Sequence, residues 1–290
     1  MVAVQALGSV NLKSEERMNI LQQIAEYKKA EVIERQKLFP VEFLKQKVYY
    51  KSQPVSLKSY VMDETKTGII AEIKRKSPSE GNINPHISVE EVSIGYMQSG
   101  ASALSVLTDE PSFGGSLKDL ETARKFNYCP ILRKDFMLDP YQVYEAKAHG
   151  ADAILLIAAM IDKSLCQDLA SIAHELGMEV LLEIHNQQEL DSHFGNYADL
   201  VGINSRDLKS FSTDLEVAKA LVNQLPADVP KIAESGLKTP EDVLNMKNAG
   251  FDGFLIGTTF MKSSEPGKAC QRFSQQVNNL NMSKESNQRV

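Results

Sequence analysis

Short aliphatic runs, each followed by a stretch of helical periodicity, recur eight times from residue 69 onward. The runs are IIAEI (69–73), ALSVL (103–107), CPILR (129–133), AILLIA (153–158), EVLLEI (179–184), LVGIN (200–204), KIAES (231–235) and GFLIG (253–257). Segments between them, such as SVEEVSIGYMQS (88–99), SLCQDLASIAHEL (164–176) and PEDVLNMKNA (240–249), place apolar residues at helical spacing. Strand–helix alternation builds a parallel sheet, and eight such units predict an α/β fold closed as a single (β/α)8 barrel. A weak internal echo agrees: GASALSVL, GADAILLI and GFDGFLIG, starting at residues 100, 150 and 250, each set a helix-ending Gly before a strand. An open doubly wound sheet is the alternative, but its GxGxxG turn is absent.

The first 66 residues read differently and predict a helical extension packed on the barrel. Ser14 is placed to cap a helix, with Glu15 and Glu16 near its positive end. Leu21, Ile24, Tyr27, Val32 and Ile33 form an approximate stripe that Pro40 stops. A short helix around 41–48 and a polar stretch through Thr67 follow. The extension packs on the barrel and, read functionally, helps cover the substrate mouth. The barrel is expected over 67–278, with a frayed polar tail over 279–290.

The net charge of −6 and the lack of a long basic run argue against nucleic acid or an anionic membrane as partner. A small anionic ligand stays possible, because a few basic groups in a cleft outweigh a mildly acidic exterior. Cys129, Cys166 and Cys270 are odd in number and far apart, which fits a reducing compartment. The N-terminus has no signal-like apolar stretch, and ADAILLIAAMI (151–161) is too short for a membrane span. The expectation is a cytoplasmic protein, a monomer or weak dimer.

Strands covered on both faces should be aliphatic throughout. Here ionisable or polar groups interrupt them toward their C-terminal ends: Glu72 and Lys74, Lys134, Glu183, Asn204 and Glu234. Those ends form the active face of a barrel. Period-two alternation puts Glu72 and Lys74 on one face. Turned inward, such groups bring carboxylates and ammonium groups to one mouth. Burial and mutual pairing there tune a lysine as general acid and a carboxylate as base.

A phosphate signal is independent of these charges. Ser235-Gly236 follows the seventh run and Gly257-Thr258-Thr259 the eighth. Glycine lets backbone N–H groups approach an anion, and loops seven and eight are its usual seat in such barrels. RKSPSEGNINP (75–85) is a candidate mobile lid. The five histidines form no HxH or HExxH, so no metal is expected, and His185 reads more as surface than as rim. Cys129 reads as core packing at the start of a strand. Ser77, Ser79 and Ser235 lack a GxSxG elbow.

AEIKRKSPSEG (71–81) resembles the signature of indole-3-glycerol-phosphate synthases. SVLTDE (105–110), FGGS (113–116), ILRKDF (131–136), LLEIH (181–185), GINSRDL (202–208), AESG (233–236) and FLIGTTFM (254–261) follow in that family's order and spacing. The resemblance spans residues 14–275. It implies a cofactor-free carboxy-lyase of tryptophan biosynthesis. Such an enzyme closes, decarboxylates and dehydrates 1-(2-carboxyphenylamino)-1-deoxyribulose 5-phosphate, a small substrate carrying carboxylate and phosphate.

By the same resemblance, Lys134 is the general acid of ring closure. Glu183 pairs with the developing cationic nitrogen, and Glu72 assists dehydration. Lys74 and Arg206 hold the anthranilate carboxylate, with Lys74 also a contender for acid in the dehydration. Asn204 binds substrate hydroxyls, and Glu234 and Ser235 help at the same mouth. Ser77, Gly236, Gly257 and Thr258 resemble the phosphate seat. Phe113, Phe136, Leu155, Leu208 and Leu255 wall the aromatic ring. The sequence departs at Ser112, where many relatives carry a second aromatic beside Phe113, and residues 1–13 have no counterpart.

The rival readings are another phosphosugar barrel, a Schiff-base aldolase using Lys134, and a non-catalytic phosphate-binding barrel. An isomerase of the same pathway would favour Cys and Asp where this chain has Glu72/Lys74 and Asn204. A degenerate barrel would have lost its acid–base groups.

Overall fold

The computed structural model describes residues 20–207 and 211–288. Eight parallel strands close into a barrel: β1 (Ile69–Ile73), β2 (Ala103–Leu107), β3 (Ile131–Lys134), β4 (Ala153–Ile157), β5 (Glu179–Ile184), β6 (Leu200–Asn204), β7 (Lys231–Glu234) and β8 (Gly253–Ile256), with β8 pairing back onto β1. This is the (β/α)8 barrel that the alternating runs predict, with a helical extension ahead of it. Side-chain caps start the helices between strands. Ser88, Ser116, Asp139, Asp162, Asn186, Asp214 and Thr239 each accept a backbone N–H from the first turn of the helix that follows.

The echo seen in the sequence has a structural job. The residue just before each even-numbered strand clamps the preceding odd strand at its N-terminal end. Asp152 Oδ2 accepts from Ile131 N while Asp152 N donates to Ile131 O, and Asp199 does the same with Val180 and Asp252 with Lys231. At the first pair Ser102 Oγ accepts from Gly68 N while Ser102 N donates to Ile69 O. The end of the barrel opposite the active face is thus closed by reciprocal hydrogen bonds.

Strand parity separates two apolar layers. Ile69, Ala71 and Ile73 of β1 face the helices, whereas Ile70 joins Leu132, Leu155, Leu181, Leu200, Ile232 and Leu255 inside the barrel. Leu57 and Val61, on the helix Leu57–Val61, belong to that inner layer. Val61 packs beside Gly253 at the start of β8, so this part of the extension plugs the N-terminal end of the barrel.

The first described helix, Ile20–Leu38, serves the other end. Its buried face holds Ile24, Lys28 and Val32, whereas Ile33, placed on the apolar stripe by the sequence reading, is 54% exposed. Lys28 lies on the buried face because strand-end carboxylates meet it. Its Nζ is 2.9 Å from Asp109, 3.0 Å from Asp135 and 2.8 Å from Glu31. Burial opposes its charge, but Asp135 and Asp109 outweigh burial and hold the ammonium above the ordinary lysine value. Tyr27 donates to Asp109 and lies 3.0 Å from Ser112 Oγ. Ser112, the neighbour of Phe113, thereby meets a tyrosine of the extension.

Three further differences concern boundaries. Pro40 ends the first helix as expected, but the next segment divides into a helix at Val41–Leu44 and a 3-10 turn at Val48–Lys51. The last helix runs Pro266–Gln288 and takes in most of the stretch expected as a frayed tail. Cys129 is buried but precedes β3, because Pro130 interrupts the strand's start. Ser14 and Leu208 lie outside the described residues.

Candidate active site

Side chains that point into the barrel change character along each strand. They run Ile70, Glu72, Lys74 on β1 and Leu132, Lys134, Phe136 on β3. Leu181, Glu183, His185 follow on β5 and Ile232, Glu234 on β7. The N-terminal half of the interior is sealed by aliphatic residues, so the charged groups beyond it have a dry floor and one opening. Glu72, Glu183 and Glu234 are buried, and the Lys74 and Lys134 side chains are each only 14% exposed.

Lys134 is the hub. Its Nζ lies 3.0 Å from Glu183 Oε2 and 2.6 Å from Glu234 Oε2. Burial disfavours its charge, but Glu183, Glu234 and Glu72 together raise it above the usual lysine range. The two glutamates sharing it divide their roles. Burial pushes Glu183 up, yet Lys134 and His185 outweigh burial and hold it well below the usual carboxylate range. Burial also raises Glu234; Lys134 opposes that, the negative Glu183 adds to it, and the group is pushed up to about 8. Near neutral pH the pair thus holds one ionised and one protonated carboxyl, the arrangement expected of like charges in one dry site. A second pair stands across the mouth, with Lys74 Nζ 2.7 Å from Glu72 Oε1. Asn204 Nδ2 donates to Glu183 Oε1 at 3.1 Å, and its Oδ1 accepts from Arg206 N.

His185, read from the sequence as surface, is a correction. Its side chain is 9% exposed, with Nε2 3.2 Å from Glu183 Oε1 in ion-pair range though not aligned as a hydrogen bond. Nδ1 is 3.1 Å from Glu189 Oε2. Burial lowers its basicity, but Glu183 and Glu189 override that and push it up to about 10. The available signal was parity: His185 lies two residues beyond Glu183, on the same inward face.

These groups border a cavity of about 670 Å³. Glu72, Lys74, Lys134, Glu183, Asn204, Glu234, Ser235, Ser77, Phe113, Phe136, Leu155, Arg206, Gly236, Leu255, Gly257 and Thr258 all line it. The sequence expectation therefore places every described candidate on one wall or another. Phe113 and Phe136 face each other with ring centroids 6.1 Å apart, tilted by 32°, and Leu155 and Leu255 extend the apolar side. Ile20, Leu21 and Ile24 of the first helix complete that wall and were not among the expected residues. Lys238 and Lys262 add cations near Ser235-Gly236 and Thr258, and were also missed.

Backbone form is unusual at the Ser235-Gly236 turn. Ser235 has φ 65° and Gly236 φ 80°, so the chain turns sharply as β7 ends. A non-glycine residue held there is strain of the kind found at functional sites. The 75–85 segment folds back as a hairpin in which Lys76–Ser77 pairs with Gly81–Asn82, and Glu80 meets Lys262 at 2.9 Å. Among the described residues, no cluster of three or more His, Cys, Asp or Glu side chains is arranged to hold a metal ion.

Comparison with known proteins agrees with this geometry. A family model described as indole-3-glycerol phosphate synthase matches residues 21–273. The chain is 48% identical over 255 residues to the indole-3-glycerol phosphate synthase of Bacteroides thetaiotaomicron, covering 88% of this chain and 97% of that protein. It is 47% identical over 204 residues to that of Hyphomonas neptunium, covering 70% and 77%. Among solved structures it is similar to thiamine phosphate pyrophosphorylase from Pyrococcus furiosus, with a TM-score of 0.56, 16% identity and coverage of 77% and 98%. A mutant tryptophan synthase α-subunit from Pyrococcus furiosus gives a TM-score of 0.54 at 14% identity, covering 74% and 98%. At such identities the likeness to these structures is one of fold alone.

Proposed function

The chain belongs to the indole-3-glycerol phosphate synthase family, and from that premise we propose how the groups in its cavity divide the reaction among them. The activity is that of a carboxy-lyase in tryptophan biosynthesis. It converts 1-(2-carboxyphenylamino)-1-deoxyribulose 5-phosphate to indole-3-glycerol phosphate, CO2 and water. The substrate carboxylate leaves as neutral CO2, so each turnover takes up one proton. A proton donor at the reacting carbonyl is thus a requirement of the chemistry.

Lys134 is that donor. As the carboxylate-bearing ring carbon attacks the ribulose carbonyl, the carbonyl oxygen takes the Lys134 proton and becomes a hydroxyl. Glu183, ionised, faces the positive charge that develops on the anilino nitrogen. Loss of CO2 returns the bonding pair to the ring and restores its aromaticity. The hydroxyl then leaves as water with a proton from Lys74. Glu72 orients Lys74, and Glu183 takes the proton released from the carbon beside the nitrogen.

The remaining groups bind and orient. Arg206 and Lys74 hold the substrate carboxylate, and Asn204 hydrogen-bonds a hydroxyl. Ser77, Ser235, Gly236, Gly257 and Thr258 seat the phosphate. Phe113, Phe136, Leu155 and Leu255 enclose the aryl ring, with Leu208 also assigned to that wall.

The observation that carries this reading is Lys134 Nζ, held 3.0 Å from Glu183 and 2.6 Å from Glu234 beneath a cavity lined on one side by Phe113, Phe136, Leu155 and Leu255 and on another by Ser235, Gly236, Gly257 and Thr258. The test is turnover of the carboxyphenylamino-deoxyribulose phosphate followed by indole fluorescence. The chain contains no Trp, so its own indole background is absent. Turnover without added metal, abolished in Lys134→Ala, is the expected result. Undiminished turnover in Lys134→Ala rejects the assignment.

A cytoplasmic setting and a monomeric or weakly dimeric state complete the proposal. Among the described residues no helix is long and apolar enough to cross a membrane. Sedimentation at several concentrations measures the association state.

A further inference from the structure

Two glycines on the catalytic face lack room for a side chain, and one of them, Gly202, has no conformational reason to be glycine. Gly202 sits mid-strand in β6, in ladder register with Glu183 of β5 and Ile232 of β7. Neither Gly202 nor Gly257 has a positive φ, unlike Gly68, Gly150 or Gly236. Any L-residue can adopt the strand backbone of Gly202, whereas Gly257, at φ −122° and ψ −71°, lies outside the main β and right-handed helical regions. What both positions lack is space.

A Cβ on Gly202 would stand 2.1 Å from Glu234 Oε1 and 3.1 Å from its carboxyl carbon. The next atom, Leu181 Cδ1, is at an ordinary 3.5 Å. A Cβ on Gly257 would stand 2.3 Å from Glu72 Oε1 and 3.0 Å from that carboxyl carbon. In both cases a carboxyl group from the neighbouring strand occupies the place of the missing side chain. Gly253, at the plugged end of the barrel, is different: its Cβ would meet aliphatic carbons of Ile232 and Val61.

We infer that Gly202 is a positioning residue whose bare backbone is the seat across which Glu234 folds its carboxyl group to reach Lys134. Gly257 serves Glu72 and Lys74 in the same way. The inference rests on the role proposed above for Lys134. Glu234 Oε2 reaches Lys134 at 2.6 Å, while Oε1 is buried toward β6 without a hydrogen-bond partner. A buried oxygen with no partner would ordinarily move to find one. Here the hollow over Gly202 and the bond to Lys134 hold the group in place. A methyl at position 202 removes the hollow, and because the carboxyl group ends a flexible side chain, it gives way before the strand does.

A double-mutant cycle separates a seat from a packing glycine. Gly202→Ala is expected to lower kcat by at least about ten-fold, on the scale of a lost acid–base partner. In a Glu234→Ala background the same substitution should cost less than about two-fold. Equal losses in both backgrounds would overturn the inference. Thermal unfolding of the same four proteins gives a second readout that needs no turnover. If Gly202→Ala alone fails to fold, Glu234→Ala should restore folding by vacating the space, and failure to restore it overturns the inference as well. Absence of turnover in the unmodified protein counts against the proposed function, and the thermal cycle still decides the seat.

Discussion

Lys28 Nζ, on a helix outside the barrel, lies 2.9 Å from Asp109 Oδ2 at the end of the second strand. The same ammonium lies 3.0 Å from Asp135, which directly follows Lys134, the proposed proton donor. Asp109 also caps the short helix Glu110–Phe113, whose last residue walls the cavity. One buried cation thus joins the extension to two strand ends and to an aromatic wall.

Removing it should expose that dependence. Lys28→Met leaves buried Asp109 without its cation and Asp135 with Arg133 alone, and breaking a buried pair from one side costs about 3–5 kcal/mol. Urea unfolding is expected to show a loss on that scale, with a raised KM as Phe113 loses its anchor. A loss below about 1 kcal/mol with unchanged KM rejects the anchoring role.

Lys134→Ala and Glu183→Gln should each lower kcat by at least roughly 10²-fold, the scale of general acid–base groups. Folding is expected to stay intact, as judged by circular dichroism. Near-unchanged rates in either variant would remove that residue from the assignment.

Glu234 should behave differently from Glu183, although both touch Lys134. It is pushed up to about 8 and so carries a proton near neutral pH. Glu234→Gln preserves an uncharged group able to accept from Lys134. Its kcat at pH 7 is expected to fall less than about ten-fold, well short of the Glu183→Gln loss. A loss equal to that of Glu183→Gln would mean that Glu234 works as an anion.

His185 predicts a stability effect with a definite sign. Its proton is held from an ordinary value of 6.5 up to about 10, between Glu183 and Glu189. The folded state therefore keeps a proton that the unfolded chain has released across that interval. The stabilisation is complete below pH 6.5 and is lost as pH rises through about 10. Both glutamates are held low and stay ionised throughout, so they do not contribute to the slope. Chemical denaturation across this range should show stability falling with pH, and falling less steeply in His185→Gln. Parallel curves would rule out the ion pair.

The barrel was legible because strand and helix periods differ and because the runs lie at near-regular spacing. Most strand limits in the sequence reading lie within a residue of those observed, and the exception, at Pro130, reflects a residue that cannot donate to the ladder. Glu72, Lys74, Lys134, Glu183 and Glu234 were legible because a charge inside an aliphatic run is conspicuous. His185 was not, since it falls just beyond its run and its partner Glu189 comes from the following helix. Lys28 was hidden for a related reason. A lysine on a helical stripe reads as polar until Asp109 and Asp135, far away in sequence, are brought beside it. Gly202 was the least visible, because its contribution is an empty volume and only the position of Glu234 gives it meaning.

The reciprocal clamps of Ser102, Asp152, Asp199 and Asp252 lie at one end of the strands, and the acids and bases lie at the other. Each strand is therefore anchored at its start and employed at its finish. The chain can change what it does at one rim while the reciprocal bonds that fasten the other rim stay as they are, so new chemistry need not be written over the residues that close the floor.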